Sequence, residues 1–177
     1  NKMNSKLCYL YFVLFLTLAS CNQKEESATI SKENFTVTIE GVFGKNDKLQ
    51  VFYLTKDSEW NDENSVVMPV YASSEMQKIE VVLPEKVSPI NIRVDVGENK
   101  FQSNITIKNI SVLYKTKTID GNNGNFTDYF YPNEFISWDP EYYGYKLNSL
   151  GNAYDPFFMG NDLLISKLEQ INTPPKE

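Results

Sequence analysis

Between Ser27 and Lys117 apolar and polar residues alternate with the two-residue period of half-buried strands. Phe35, Val37 and Ile39 fall on one side, Thr36, Thr38 and Glu40 on the other. A polar turn at Gly44 to Lys48 leads into a second strand over Leu49 to Thr55, and Asn64 to Tyr71, Gln77 to Leu83 and Ile90 to Val96 repeat the pattern. In the last of these Ile90, Ile92, Val94 and Val96 are expected to face inward, with Asn91, Arg93 and Asp95 outward. Pro84 and Pro89 bracket a loop. Pro69, which has no ladder donor, belongs at an edge or an irregularity.

Asn104 to Lys117 reads as one longer strand whose apolar set changes phase. Ile105 and Ile107 are odd-numbered, whereas Ile110, Val112 and Tyr114 are even. A β-bulge across Lys108 and Asn109 would return both sets to one buried face. Short strands separated by turn chemistry predict an all-β fold, an antiparallel sandwich with its core over 34–118. Near the end, Asn161 or Asp162 caps a short helix with Leu164, Ile165, Leu168 and Ile171 on one face, followed by Pro174 and Pro175.

The start of the chain follows a different rule. Leu7 to Ser20 is an unbroken stretch of apolar and small residues behind Lys2 and Lys6, with Met3 as the expected start. It spans 14 residues, short of the roughly 20 that cross a bilayer as a helix. Leu18-Ala19-Ser20-Cys21 resembles the lipobox of bacterial lipoproteins. That resemblance implies cleavage before Cys21, lipidation of its thiol and a membrane anchor. Asn22-Gln23-Lys24-Glu25-Glu26 is similar to the signal that sends lipoproteins of Bacteroidota-type bacteria to the outer face of the outer membrane. The expected organisation is therefore a signal peptide over 1–20, a lipidated tether over 21–33, the sandwich over 34–118 and an aromatic-rich extension over 119–177 that packs on it.

Charge and residue inventory narrow the chemistry. The chain carries a formal net charge of −6, and loss of Lys2 and Lys6 with the signal would make the remainder more acidic still. Nucleic acid is thus a poor partner. Removal of Cys8 and acylation of Cys21 would use both cysteines, and the chain has no histidine. Those absences argue against His-dependent triads, thiol nucleophiles and Cys/His metal sites, so no enzyme activity and no cofactor are expected.

The segment Ile92-Arg93-Val94-Asp95-Val96-Gly97, a loop, then Ile105 to Val112 resembles the closing strand pair of galactose-binding-like jelly-roll sandwiches. That resemblance implies a module of the kind that accompanies cell-envelope glycan enzymes. Phe126 to Phe158 holds half of the chain's 24 aromatic residues, which has two explanations: rings packed onto the sandwich, or a platform on which sugar CH faces stack. Trp60 and Trp138, flanked by acids and Asn in loop-like context, are the candidate stacking residues, together with Tyr142. Arg93, the only arginine, is read either as a grip on a sugar hydroxyl or carboxylate or as one half of a cross-strand ion pair.

Three further patterns carry less. Asp120-Gly121-Asn122 opens like a calcium loop but has Asn125 and Tyr131 where Gly and Glu belong. Glu134, Asp139 and Glu141 could in principle supply the paired carboxylates of a glycoside hydrolase, though their spacing is not diagnostic. The Asn-x-Ser/Thr triplets at Asn34, Asn104, Asn109 and Asn125 read as ordinary strand and turn composition behind a bacterial signal. Two functions from different classes follow: a non-catalytic lipoprotein whose sandwich recognises glycan, or an accessory lipoprotein that docks an envelope protein through its aromatic segment.

Overall fold

The computed structural model describes residues 33–173. Cys21, the apolar stretch before it and the Asn22–Glu26 segment lie outside the described residues. Eleven strands alternate with short turns: β1 (Thr36–Phe43), β2 (Asp47–Leu54), β3 (Ser65–Val70), β4 (Gln77–Val82), β5 (Asn91–Asp95), β6 (Asn104–Tyr114), β7 (Lys117–Ile119), β8 (Phe130–Pro132), β9 (Ile136–Asp139), β10 (Gly144–Leu147) and β11 (Phe157–Gly160). One helix, α1 (Asp162–Asn172), closes the described chain.

The strands form a sandwich of two antiparallel sheets. The first has the order β4-β1-β6-β10-β9, with β7 also paired to β6, and the second the order β3-β2-β5-β11-β8. β1 pairs with β6 in one sheet while β2 pairs with β5 in the other, so two antiparallel stretches of chain cross together from sheet to sheet. The core lies between the sheets, where Val37, Ile39, Leu49, Val51, Ile92, Val94, Ile105, Ile110, Val112 and Phe158 are completely buried. Such apolar burial stabilises the fold by about 25 cal/mol for each Å² removed from water.

The phase change in β6 is a bulge. Against β1 the register runs Glu40 with Asn109 and then Gly41 with Ile107, leaving Lys108 without a partner. Ile105, Ile107, Ile110 and Val112 are all buried as a result, and Lys108 is the one exposed residue of the strand. Pro69 sits in β3, an edge strand, where its missing donor breaks no second ladder.

Several elements depart from the sequence expectations. β6 stops at Tyr114, because Lys115 takes φ 53° and turns the chain back into β7. Ile90 is 40 % exposed and Asn91 buried, the reverse of strict alternation. The chain is still entering the sheet at Ile90, and the Asn91 amide satisfies itself inside, donating to Gly160 O and accepting from Ile92 N–H. In α1, Leu164, Leu168 and Ile171 form the buried stripe while Ile165 is exposed at its margin. The segment expected to pack on the sandwich as an extension instead supplies β8 and β11 to one sheet and β9 and β10 to the other. Phe126, Phe130, Phe135, Tyr145 and Phe158 of this segment are part of the core because its strands are part of the sheets.

Asn161 caps α1, its Oδ1 accepting from Leu163 and Leu164 N–H. At the other end Lys117 Nζ donates to the carbonyls of Gln170, Ile171 and Thr173. A cation among the final carbonyls complements the helix dipole, and it ties the helix to β7.

Candidate functional site

A groove of about 760 Å³ crosses the bulged part of β6, the 122–128 segment and the edge strands β8 and β9. Its position follows from local chemistry on β6. The buried Ser111 hydroxyl donates to Asn109 Oδ1 and accepts from Gly121 N–H, drawing the chain after β7 against the strand. Gly121 permits this approach, since a Cβ there would collide with Ile110 O. The chain then coils through Asn122–Asp128, with Asn123 and Gly124 at positive φ. Phe126 turns into the core and Thr127 remains at the groove.

Two exposed rings flank this groove, Trp138 at 56 % and Tyr143 at 78 % exposure. Trp138 lies in β9, not in the loop its flanking residues suggested, and is paired across strands with Tyr145. The Trp138 and Tyr145 rings meet edge to face at 5.3 Å. Tyr145 in turn meets Phe158 at 5.1 Å, and Phe126 completes the cluster. Such contacts contribute about 0.5–1.5 kcal/mol each beyond burial, so the core holds Trp138 in place while its outer side faces solvent. Tyr143 takes φ 53° in the β9–β10 turn, a conformation that costs a non-glycine residue about 1–2 kcal/mol. Strain of this kind concentrates where a side chain has to be aimed.

Asp139 shapes that turn by accepting the N–H groups of Glu141 and Tyr142 on Oδ1. This binds one of the three candidate hydrolase carboxylates into local structure. None of Glu134, Asp139 and Glu141 lines the groove, whose polar lining includes Thr106, Thr127 and Lys108. Stacking, hydroxyl hydrogen bonding and one charge contact are what this arrangement can do chemically.

The four candidate ligand residues are not assembled at one site. Tyr142 covers Gly144, where its ring would stand 2.7 Å from an added Cβ, and borders a separate shallow depression beside Val42 and Ser73. Trp60 lines a hollow of about 480 Å³ with Tyr131, Met159 and Ile165 on the other sheet's side. Arg93 occupies β5, where Nε and Nη2 donate to both oxygens of Asp95 at 2.6 and 2.7 Å. Nη2 also reaches Asp155 at 3.1 Å. Its guanidinium lies 3.9 Å from the Phe157 ring centroid and 5.1 Å from that of Phe52. The ion pair expected across strands is thus made along one strand and extended to the segment before β11.

Asp95 is the unusual member of this cluster. Burial pushes its carboxyl up to about 6, against the opposing pull of the Arg93 hydrogen bonds and charge, with Asp155 and Glu98 adding repulsion. A polar cavity of about 270 Å³ lies beside it, bordered by Lys48, Glu98 and Tyr154. Burial also raises the Tyr154 hydroxyl, to about 12. Asp120 accepts Asn122 N–H in a local turn. Among the described residues no group of three or more His, Cys, Asp or Glu side chains is placed to hold a metal ion.

Tyr143 and Lys108 are groove residues that the sequence pattern did not mark as ligand contacts. The signal for Lys108 was the phase change in β6, since bulges re-aim side chains. Tyr143 carried no signal beyond membership of the aromatic run. Fold and groove together define a two-sheet β-sandwich with a rigid aromatic surface site. No family model, curated protein or solved structure matches the chain.

Proposed function

We propose that this protein is a lipoprotein anchored in the outer membrane through Cys21, facing outward, whose sandwich binds glycan without catalysis. The observation that carries the binding half is the pair of exposed rings, Trp138 and Tyr143, bordering one groove that also presents the Thr106 and Thr127 hydroxyls. Sugars offer apolar CH faces ringed by hydroxyl groups, and flat rings beside hydrogen-bonding side chains complement both. The edge-to-face contact with Tyr145 holds Trp138 before any ligand arrives, which reduces the ordering cost of binding. β5 and β6, whose residues carry the likeness to galactose-binding jelly rolls, lie in opposite sheets and are not the closing strands, so the binding half rests on the groove and not on that likeness.

The anchoring half rests on the lipobox ending at Cys21 and on the acidic triplet that follows. Among the described residues no helix is long and apolar enough to cross a membrane.

Each half has its own test. Labelled palmitate should enter the wild-type chain and be absent from Cys21→Ser. On a glycan array, wild type should bind a defined set of structures and Trp138→Ala should bind them at least about tenfold more weakly. Absence of glycan binding, with a single envelope protein co-purifying through the aromatic segment, would favour the docking role instead.

A further inference from the structure

Lys108 gives the groove a polarity that its aromatic rings do not. The bulge leaves it as the unpaired residue of β6 and turns it outward at the groove. Lys48 pairs with Glu98 at 2.7 Å, Lys78 with Glu80 at 3.1 Å, and Lys117 holds the end of α1; Lys108 is set apart from the remaining lysines by lining the groove, where it is the one charged side chain. Among the described residues Lys108 makes no ion pair and no side-chain hydrogen bond. None of the groove's lining residues is Asp or Glu, in a chain of net charge −6. A lone cation beside two stacking rings is charge-complementary to a sugar that carries an acid.

We infer that the groove selects a uronic-acid glycan, with sugar rings on Trp138 and Tyr143 and a sugar carboxylate on Lys108 Nζ. This rests on the groove being the glycan site and adds the class of sugar it takes. A charge-assisted contact of this kind fixes orientation as well as adding affinity. The acidic remainder of the surface disfavours polyanions elsewhere, so binding is confined to the groove.

The test uses the full chain in detergent micelles and two matched probes, an oligogalacturonate and the same oligosaccharide carboxyl-reduced to its neutral form. Calorimetric titration of wild type should show the uronate binding about three- to fivefold more tightly, the scale of one solvent-accessible ion pair. Lys108→Met keeps most of the stem and removes the charge. Within that variant the uronate and the neutral sugar should bind with the same affinity. Equal affinities in wild type, or an unaltered preference in Lys108→Met, would overturn the selectivity while leaving the glycan site standing. A sulfated oligosaccharide bound in preference to the uronate would also overturn it. No binding of either probe to wild type would overturn the uronate assignment, with the glycan array deciding the broader reading; no change in either affinity on Trp138→Ala would remove the groove as the glycan site and the selectivity with it.

Discussion

At the level of single residues, the Asp95 carboxyl is held between opposing influences. Arg93 binds both of its oxygens, yet burial raises its pKa to about 6, above the ordinary value of 3.8. A carboxyl with a raised folded-state pKa contributes stability that is complete below the unfolded value and lost as pH rises through the folded one. The window is therefore about pH 4 to 6, and a shift of this size corresponds to about 3 kcal/mol. Urea unfolding should show wild type gaining stability relative to Asp95→Asn as pH falls from 7 to 4. A carbon NMR titration of Asp95 should have its midpoint near 6; a midpoint near 4 with parallel pH–stability curves would contradict this. The sequence showed Arg93 and Asp95 on one strand face. It did not show Asp155, Phe52 and Phe157, which arrive from other segments and make the pair a half-buried buttress.

Close packing at Gly121 sets a second residue-scale expectation. Ile110 O, a backbone atom that cannot swing away, stands within collision distance of where a Cβ would lie. Gly121→Ala should cost about 2–3 kcal/mol in thermal or urea unfolding, in the range of overpacked sites. A loss below about 0.5 kcal/mol, well under that range, would mean that the 121–128 segment is not pressed onto β6 as described.

Among the elements, the β9–β10 hairpin links stability to binding. Tyr143 is strained at φ 53° and largely exposed, so its ring is kept at the groove at a cost to the fold. Tyr143→Gly should relieve the strain and offset the entropy that glycine adds to the unfolded chain, for a net gain of about 0.5 kcal/mol. The same variant should lose glycan affinity. A destabilised variant, or one that binds as tightly as wild type, would show that Tyr143 is placed by packing alone. The β6 bulge was legible in the sequence because the apolar residues change parity across it. β9 was not, since the exposed Trp138 and Ser137 hide the short Ile136–Asp139 strand among acids and Asn. Ile165 was misplaced for a related reason: a helix of three turns leaves its rim residue to be decided by what lies opposite.

Across the whole molecule, the aromatic segment is divided between the two roles its composition allowed. Phe126, Phe130, Phe135, Tyr145 and Phe158 are buried, whereas Tyr131, Trp138, Tyr142 and Tyr143 are exposed. Composition revealed the density of rings but not their partition, which depends on β8 to β11 entering both sheets. Sheet membership is a long-range property: Tyr145 pairs with Ile105 and Phe158 with Val94, and no local pattern encodes those partners. The sandwich itself was legible because each of its first six strands announces one buried face.

The two tryptophans occupy different hollows, which makes the central claim directly measurable. In Trp60→Phe the only remaining tryptophan is Trp138, and its fluorescence can be followed while oligogalacturonate is added. Binding at the groove predicts a saturable change in Trp138 emission, with no change in the reciprocal Trp138→Phe protein that reports on Trp60. Emission from Trp138 that stays constant through saturation, or a change confined to Trp60, would contradict it.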